Sequence, residues 1–487
     1  LLFRQFETEI KTQITMNKLT NALRVNGFTR LCFLTLLSLV TLGVTSCDDD
    51  DDDNAAPSES IVALAVANPN LSTLEAALIK FPDLVTTLSG NGSFTVFAPT
   101  NDAFAALLQT IGQTSLDDVP ESVLRDILEY HVISGNAILS SQLTAGNVAT
   151  VNGENVTVSL TGGVRINNSN VITADVSASN GVVHVIDAVL VPPTIAQFVN
   201  TVVEPAYFNK NFTTLIAAVQ AASPTVLQTL LNSNKKTLFA PTNAAFTAAG
   251  ITTLPSQSVL DAVLTYHVIG SEVRSNNIAN GSSEATTLGG KIYLSKGTAG
   301  LFINGNSKVT TADIVQNNGV VHVIDRTLIA PTKTIATIVS ESANATTNPQ
   351  FTQLLAALQR TQGQGDNDLL AAVSAAGSNL TVFAPTDAAF QELYTALGVN
   401  GVNDIPLSTL IAVLKHHVVN ARVFSSDLAS GAVTTLNGNV TVNLTPNPPT
   451  ITGGIGGANV AQLQTTLLNI HATNGVVHVI NKVLRPQ

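Results

Sequence analysis

The stretch Asn180–Ile186 reads NGVVHVI, and the same seven letters return at Asn318–Ile324 and Asn474–Ile480. In each copy Val, His and Ile alternate with Val and Val, so both faces of an extended segment are apolar. That is the pattern of a strand buried on two sides. The Asn-Gly ahead of it reads as a turn, since both residues tolerate positive φ. Pro192, Pro331 and Pro486 close the three units. A spacing this long exceeds any solenoid repeat and fits whole domains in tandem. The chain therefore divides into a leader at 1–46, a tether at 47–56, and three domains at 57–193, 194–331 and 332–487.

Other landmarks recur in the same order. A helical pattern sets Leu74 and Leu78, Leu215 and Val219, and Leu354 and Leu358 four apart, around Ala76-Ala77, Ala217-Ala218 and Ala356-Ala357. Leu and Ala at this spacing form an apolar helix face of strong propensity. Next come FTVFAPTNDAF at 94–104, TLFAPTNAAF at 237–246 and LTVFAPTDAAF at 380–390. Each reads as a short strand ended by its Pro, with Thr100, Thr242 or Thr386 capping the following helix. Pro120, Pro255 and Pro406 open a further helix. Its predicted inward face is Val123, Leu124, Ile127, Leu128, with equivalents Val259, Leu260, Val263, Leu264 and Thr409, Leu410, Val413, Leu414. His131, His267 and His417 follow four residues after Ile127, Val263 and Val413 and continue that face. Alternating segments such as Asn155–Leu160 and Asn439–Leu444 read as strands of a half-exposed sheet.

Composition narrows the function. Hydrophobic residues are 45% of the 487, enough for a core in each unit, and charged residues only 11%, so Ser, Thr, Asn and Gly cover the surface. Lys and Arg number 22 against 33 Asp and Glu, for a net charge of −11. That balance argues against nucleic-acid binding, which needs clustered cations to neutralise phosphates. Both cysteines, Cys32 and Cys47, precede the repeats, which leaves the repeats without disulfides or thiolate metal sites.

The N-terminal segment reads as an address. Met16 is the expected start, with residues 1–15 upstream of it. Lys18, Arg24 and Arg30 precede an apolar run from Leu31 to Val44 that is too short to span a bilayer comfortably. Val44-Thr45-Ser46-Cys47 then resembles a bacterial lipobox, which implies lipidation of Cys47. Asp48 to Asp53 follow as six successive carboxylates, whose mutual repulsion extends a tether. The acidic run resembles a surface-export signal more than an inner-membrane retention signal. The expected location is thus the outer membrane, exposed to the outside.

Taken together, the three recurring blocks resemble the fasciclin-like domain family. TxFAPTxxAF is similar to its first signature and NGVVHVID to its second, and the pairs Tyr130-His131 and Tyr266-His267 between them are similar to its central motif. The resemblance covers about residues 57–487. It implies an α+β fold, a wedge of about seven strands with several helices in each domain. It also implies adhesion to a cell-surface or matrix protein or glycan rather than catalysis. The family's Asp-Ile motif, linked there to partner binding, falls on Asp175-Val176 and Asp313-Ile314. The third repeat has Asn469-Ile470 at that place and His416-His417 at the Tyr-His place, so it is the repeat expected to have lost this contact chemistry. It also carries a longer insertion, Pro446 to Gly457.

The remaining chemistry is sparse. Each repeat has one His on a helix and one in a buried strand, but zinc needs a further ligand. Asp187 and Asp325 recur near the second signature, and the third repeat replaces them with Asn481. Neutral histidines bonded inside the core are the preferred reading, with no metal and no cofactor. No Ser or Thr recurs with a paired His and an acid in a nucleophile setting, so no catalytic residue is assigned. The expected function is a membrane-anchored, surface-exposed adhesion or matrix-binding protein. The alternative is a glycan- or small-ligand-binding accessory lipoprotein, against which aromatics at only 5% weigh.

Overall fold

Residues that are apolar on both faces of a strand must be covered on both faces, and this requirement places NGVVHVI at the centre of each domain. The computed structural model describes residues 59–454 and 459–486. The leader, Cys47 and the acidic run lie outside the described residues. Domain 1 opens with helices α1 (Ile61–Ala67), α2 (Ser72–Leu78) and α3 (Pro82–Ser89). Then come β1 (Phe94–Pro99), α4 (Asn101–Thr110), α5 (Glu121–Tyr130) and β2 (Val132–Ser134). The rest is strand: β3 (Gly146–Ala149), β4 (Asn155–Ser159), β5 (Arg165–Ile166), β6 (Ser169–Ala178) and β7 (Gly181–Ile186). The sheet order is β2-β1-β7-β6-β5-β4-β3. β7 pairs parallel to β1 from Phe94↔Gly181 to Pro99↔Ile186, and antiparallel to β6.

The other domains repeat this plan. In domain 2, Lys236–Pro241 lies parallel to Gly319–Ile324 within a seven-stranded sheet. In domain 3, Leu380–Pro385 lies parallel to Gly475–Ile480, and the strands fall into two four-stranded sheets. Part of the domain 3 insertion forms a strand at Thr450–Thr452. Each domain is thus α+β, with a helical core on one face of the central strand pair and a smaller core on the other. Val183 and Val185 face the helical side, while Phe97, Tyr130 and Ile186 face the smaller one. The helical cores of domains 1 and 2 form one cluster that includes Ile195, Phe198 and Val202 between them in sequence, and that of domain 3 is separate.

The capping Thr behave as their sequence context predicts. Thr100, Thr242 and Thr386 accept from the backbone N–H of Ala103, Ala245 and Ala389, each at 3.2 Å. The predicted faces of α2 and α5 are buried. In the counterpart of α5 in domain 2, however, Val259 is exposed, and Thr409 is exposed in domain 3. That first position is buried only in domain 1, at Val123.

The Asn-Gly pair stands at the β6–β7 turn as expected, but the reason given for its Asn needs a correction. Asn180 does not serve by tolerating positive φ; its side chain is buried and fastens three segments. Its Oδ1 accepts from Ile61 N–H at 3.0 Å, and its Nδ2 donates to Leu88 O at 2.8 Å and Gly90 O at 2.9 Å. Asn318 holds Val202, Leu230 and Asn232 in the same way, and Asn474 holds Ile335, Val373 and Ala375. The Gly is required by close approach: a Cβ on Gly181 would lie 2.1 Å from Phe94 O, and one on Gly475 2.1 Å from Leu380 O. Replacing Asn180 by Ala strands the buried Ile61 N–H and Leu88 carbonyl and frees the part-buried Gly90 carbonyl, so Asn180→Ala should destabilise domain 1 by ~2–3 kcal/mol. Urea unfolding followed by hydrogen exchange in α1 checks this; an unchanged midpoint would contradict the clamp.

Candidate partner-binding surface

The family-matched Asp lies on β6 at a break in its pairing. The register to β7 shifts between Thr173 and Val176, as it does between Thr311 and Ile314 in domain 2. There Asp175, Asp313 and Asn469 take φ of +61°, +61° and +56°. Asp and Asn visit this left-handed region more readily than other side chains. The turned backbone aims its N–H at the strand histidine: Asp175 N–H donates to His184 Nδ1 at 3.3 Å, Asp313 to His322 at 3.2 Å and Asn469 to His478 at 3.3 Å.

The carboxylates fold back onto a neighbouring loop. Asp175 accepts from Ser140 N–H at 2.6 Å and from the Ser140 hydroxyl; Asp313 accepts from Ser275 N–H at 2.8 Å and from its hydroxyl. The Ser140 hydroxyl and N–H hold Asp175 below the ordinary carboxylate range. For Asp313, burial pulls upward but the Ser275 bonds outweigh it, and the net direction is again down. Both therefore stay charged, with Asp175 open to solvent and Asp313 half-buried. Val176, Ile314 and Ile470 are half-buried and pack their side chains against the helical cores. Ile172 and Val315, close by on the same strands, are the exposed apolar groups.

The Tyr-His pairs lie elsewhere. Tyr130, His131, Tyr266 and His267 are all buried, so none offers its side chain to a partner. Tyr130 OH donates to Asn155 O at 2.6 Å, and Tyr266 OH to Lys291 O at 2.8 Å. Leu190 N–H donates to His131 Nε2 at 2.9 Å, which fixes that nitrogen as the acceptor and leaves Nδ1–H to donate to Ile127 O at 2.7 Å. His267 and His417 repeat the arrangement with Leu328 and Val263, and with Leu484 and Val413. Burial depresses all three imidazoles to about 4. Each ties a helix end to the segment after the central strand, and its ring nitrogens are both committed. Asp187 likewise accepts from Asn170 N–H at 2.7 Å, and Asn481 from Gln462 N–H at 2.6 Å. Among the described residues, no group of three or more His, Cys, Asp and Glu converges on one point.

The third copy of the motif is used differently. Asn469 is buried where domains 2 and 3 meet. Its Oδ1 accepts from Ser425 N–H at 2.7 Å, as the aspartates do from their serines. Its Nδ2 donates to Gly305 O at 3.1 Å and Asn306 Oδ1 at 2.7 Å, both in domain 2. Around it, Phe424 and His471 pack on Tyr293, with ring centroids 5.8 Å away in each case. Arg422 lies 4.4 Å over the Tyr293 ring and donates to the carbonyls of Ala472, Thr473 and Gly475. A cation over an aromatic face with its donors satisfied by carbonyls can be buried without a carboxylate. A Cβ on Gly305 would come within 2.6 Å of Phe424, so the glycine admits the contact. Sequence reading missed Arg422 and Tyr293; the one available signal was that Arg422 is the single charge in the stretch 418–426.

The fasciclin domain model matches residues 69–192, 210–330 and 349–486. The protein sll1483 of Synechocystis sp. is 49% identical over 135 residues, 28% of this chain and 74% of its own length. The transforming growth factor-beta-induced protein ig-h3 of Sus scrofa is 32% identical over 276 residues, 55% of this chain; the match spans only 39% of the porcine protein. A solved fasciclin domain pair from the insect cell adhesion molecule Fasciclin I aligns over 56% of this chain and 96% of its own, at 17% identity and a TM-score of 0.28. With three family matches covering most of its length, the chain belongs to the fasciclin domain family and carries three such domains in tandem.

Proposed function

We propose that the chain is a surface-tethered, non-enzymatic adhesion protein, whose first two domains present equivalent contacts to a cell-surface or matrix partner. The observation that carries this reading is the left-handed Asp at the β6 break. In domains 1 and 2 it is charged, braced by one serine and near one exposed apolar side chain, Ile172 before it in domain 1 and Val315 after it in domain 2; in domain 3 the equivalent Asn is spent on the contact with domain 2. Two weak equivalent sites on one chain raise the effective concentration of the second once the first has bound. Lipidation of Cys47, with the acidic run as spacer, would hold the domains outside the cell; several buried methylenes at ~0.8 kcal/mol each give stable anchoring only when more than one acyl chain is attached. The recurring helix histidines, His131, His267 and His417, have both ring nitrogens committed to backbone, which supports binding over catalysis.

The test uses cells expressing the full chain on surfaces coated with collagen or fibronectin. The double substitution Asp175→Ala, Asp313→Ala should cut attachment at least tenfold while the protein stays on the cells. Cys47→Ser should instead release the protein to the medium. Equal attachment by wild type and the double variant would refute the assignment of the site, and retention of the Cys47→Ser protein on the cells would refute the anchor.

A further inference from the structure

Between α1–α2 and the β1/β7 pair, domain 1 holds a partly open cavity of about 350 Å³. Its wall is aliphatic, with Leu64, Leu71, Leu74, Leu78, Leu88 and Val185 supplying much of it, and no Lys, Arg, Asp or Glu lines it. Two polar residues border it. His131 has both ring nitrogens committed to backbone, and Asn68 stands half-buried at the rim beside exposed Ala67 and Pro69, its Oδ1 taking Asn70 N–H at 3.0 Å.

The hollow recurs. Domain 2 keeps a cavity of about 600 Å³ whose lining includes Ala206, Phe212, Ala240, Val321 and Val323. These are the counterparts of Ala65, Leu71, Ala98, Val183 and Val185. The correspondence is fixed by the clamp, which holds Val202 N–H as it holds Ile61 N–H. Two repeats with different side chains preserve space at one place between the first helix and the central strands. In domain 2 the space has gained polar groups, Glu204 and Gln316, and is bordered by Ile111 and Gln113 of domain 1. In domain 1 it is left almost wholly apolar.

We propose that the domain 1 cavity binds one free, medium-length aliphatic chain, as a fatty alcohol or acid whose polar end rests at the Asn68 rim. A cavity of ~150 Å³ takes a six-carbon ring, so 350 Å³ accommodates about a dozen carbons. That is room for a single chain and not for a two-tailed lipid. Apolar walls with few polar groups are the usual composition of a small-molecule site, and a wall without charge excludes the ionic end from the interior. The inference stands apart from adhesion, since its ligand enters the helical side of the sheet rather than the β6 break.

Titration calorimetry of the full chain with 1-decanol tests it, together with thermal unfolding at saturating decanol and sedimentation with phosphatidylcholine vesicles. One saturable site and a raised midpoint for domain 1 are expected. The variant Ala65→Val, Leu71→Phe installs the side chains of Val339 and Phe351, which the third repeat carries at the matching positions. It should weaken decanol binding at least tenfold while unfolding no earlier than wild type. A second variant, Ala67→Phe, brings in the counterpart of Phe208 at the mouth and should do the same. No saturable binding, undiminished binding in both variants, or uptake by vesicles with none of free decanol would overturn the proposal.

Discussion

Lowering the pH from 7 to 4 should unfold the chain, with the third domain going first. Burial depresses His131, His267, His417 and His478 to about 4, and His471, which also faces the Arg422 charge, to about 3. The ordinary imidazole value is about 6.5. Because the unfolded chain takes up these protons first, the stabilisation is complete above pH 6.5 and is lost as the pH falls toward 4. At ~1.4 kcal/mol per tenfold, each buried imidazole forfeits about 3 kcal/mol by pH 4. Domain 3 holds three of the five, so its loss of about 10 kcal/mol is comparable with the whole stability of a typical domain, ~5–15 kcal/mol. Domains 1 and 2 each hold one. Carboxylates such as Asp83, Asp117 and Asp368, whose partners push them below the ordinary range, act only at lower pH. Glu204, raised by burial, acts in the opposite direction and slightly protects domain 2. Hydrogen exchange resolved by domain across a pH series checks the order; simultaneous loss of all three domains, or none above pH 4, would defeat it.

Four of these histidines, His131, His267, His417 and His478, show how far the sequence could be read. Their inward placement followed from helix spacing and strand alternation, because a period is visible in a local window. So were the central strand, the Thr caps and the α2 face. What escaped depends on partners far along the chain. The turn at Asn180 was legible because Asn-Gly is locally a turn signal, but its clamp was not, since the groups it holds lie 90, 92 and 119 positions away. Asn469 read as the loss of a carboxylate; its gain is visible only once Gly305, 164 positions away, is beside it. The cavity in domain 1 was equally hidden, since Ala, Leu and Val satisfy the same apolar pattern whether or not their volumes fill the space they surround.

Asn469→Asp should separate domains 2 and 3, although it restores the residue that the other two repeats carry. At Asp175 the carboxylate is reached by water. At 469 the side chain is 4% exposed, and its amide nitrogen donates to the Gly305 carbonyl, Asn306 Oδ1 and the Ser425 hydroxyl. A carboxylate there has no proton for the Gly305 carbonyl or Asn306 Oδ1 and sets negative charge against both, while the Ser425 hydroxyl can turn to donate as Ser140 does to Asp175. Ser425 N–H still donates, but Arg422 is already committed to three carbonyls and Asn379. An uncompensated charge in a buried contact costs about 3–5 kcal/mol. Nearly all of it should fall on the interface, because both domain cores are complete without this residue. Calorimetry should therefore show the domain 3 transition moving to lower temperature while that of domain 1 stays in place. Hydrogen exchange should rise at Gly305, Asn306 and around Ser425. Asn469→Ala, which removes the donor without adding charge, should cost less than half as much. If Asp and Ala prove equally mild, Asn469 contributes shape and not its amide, and the third copy of the motif joins the two domains by packing alone.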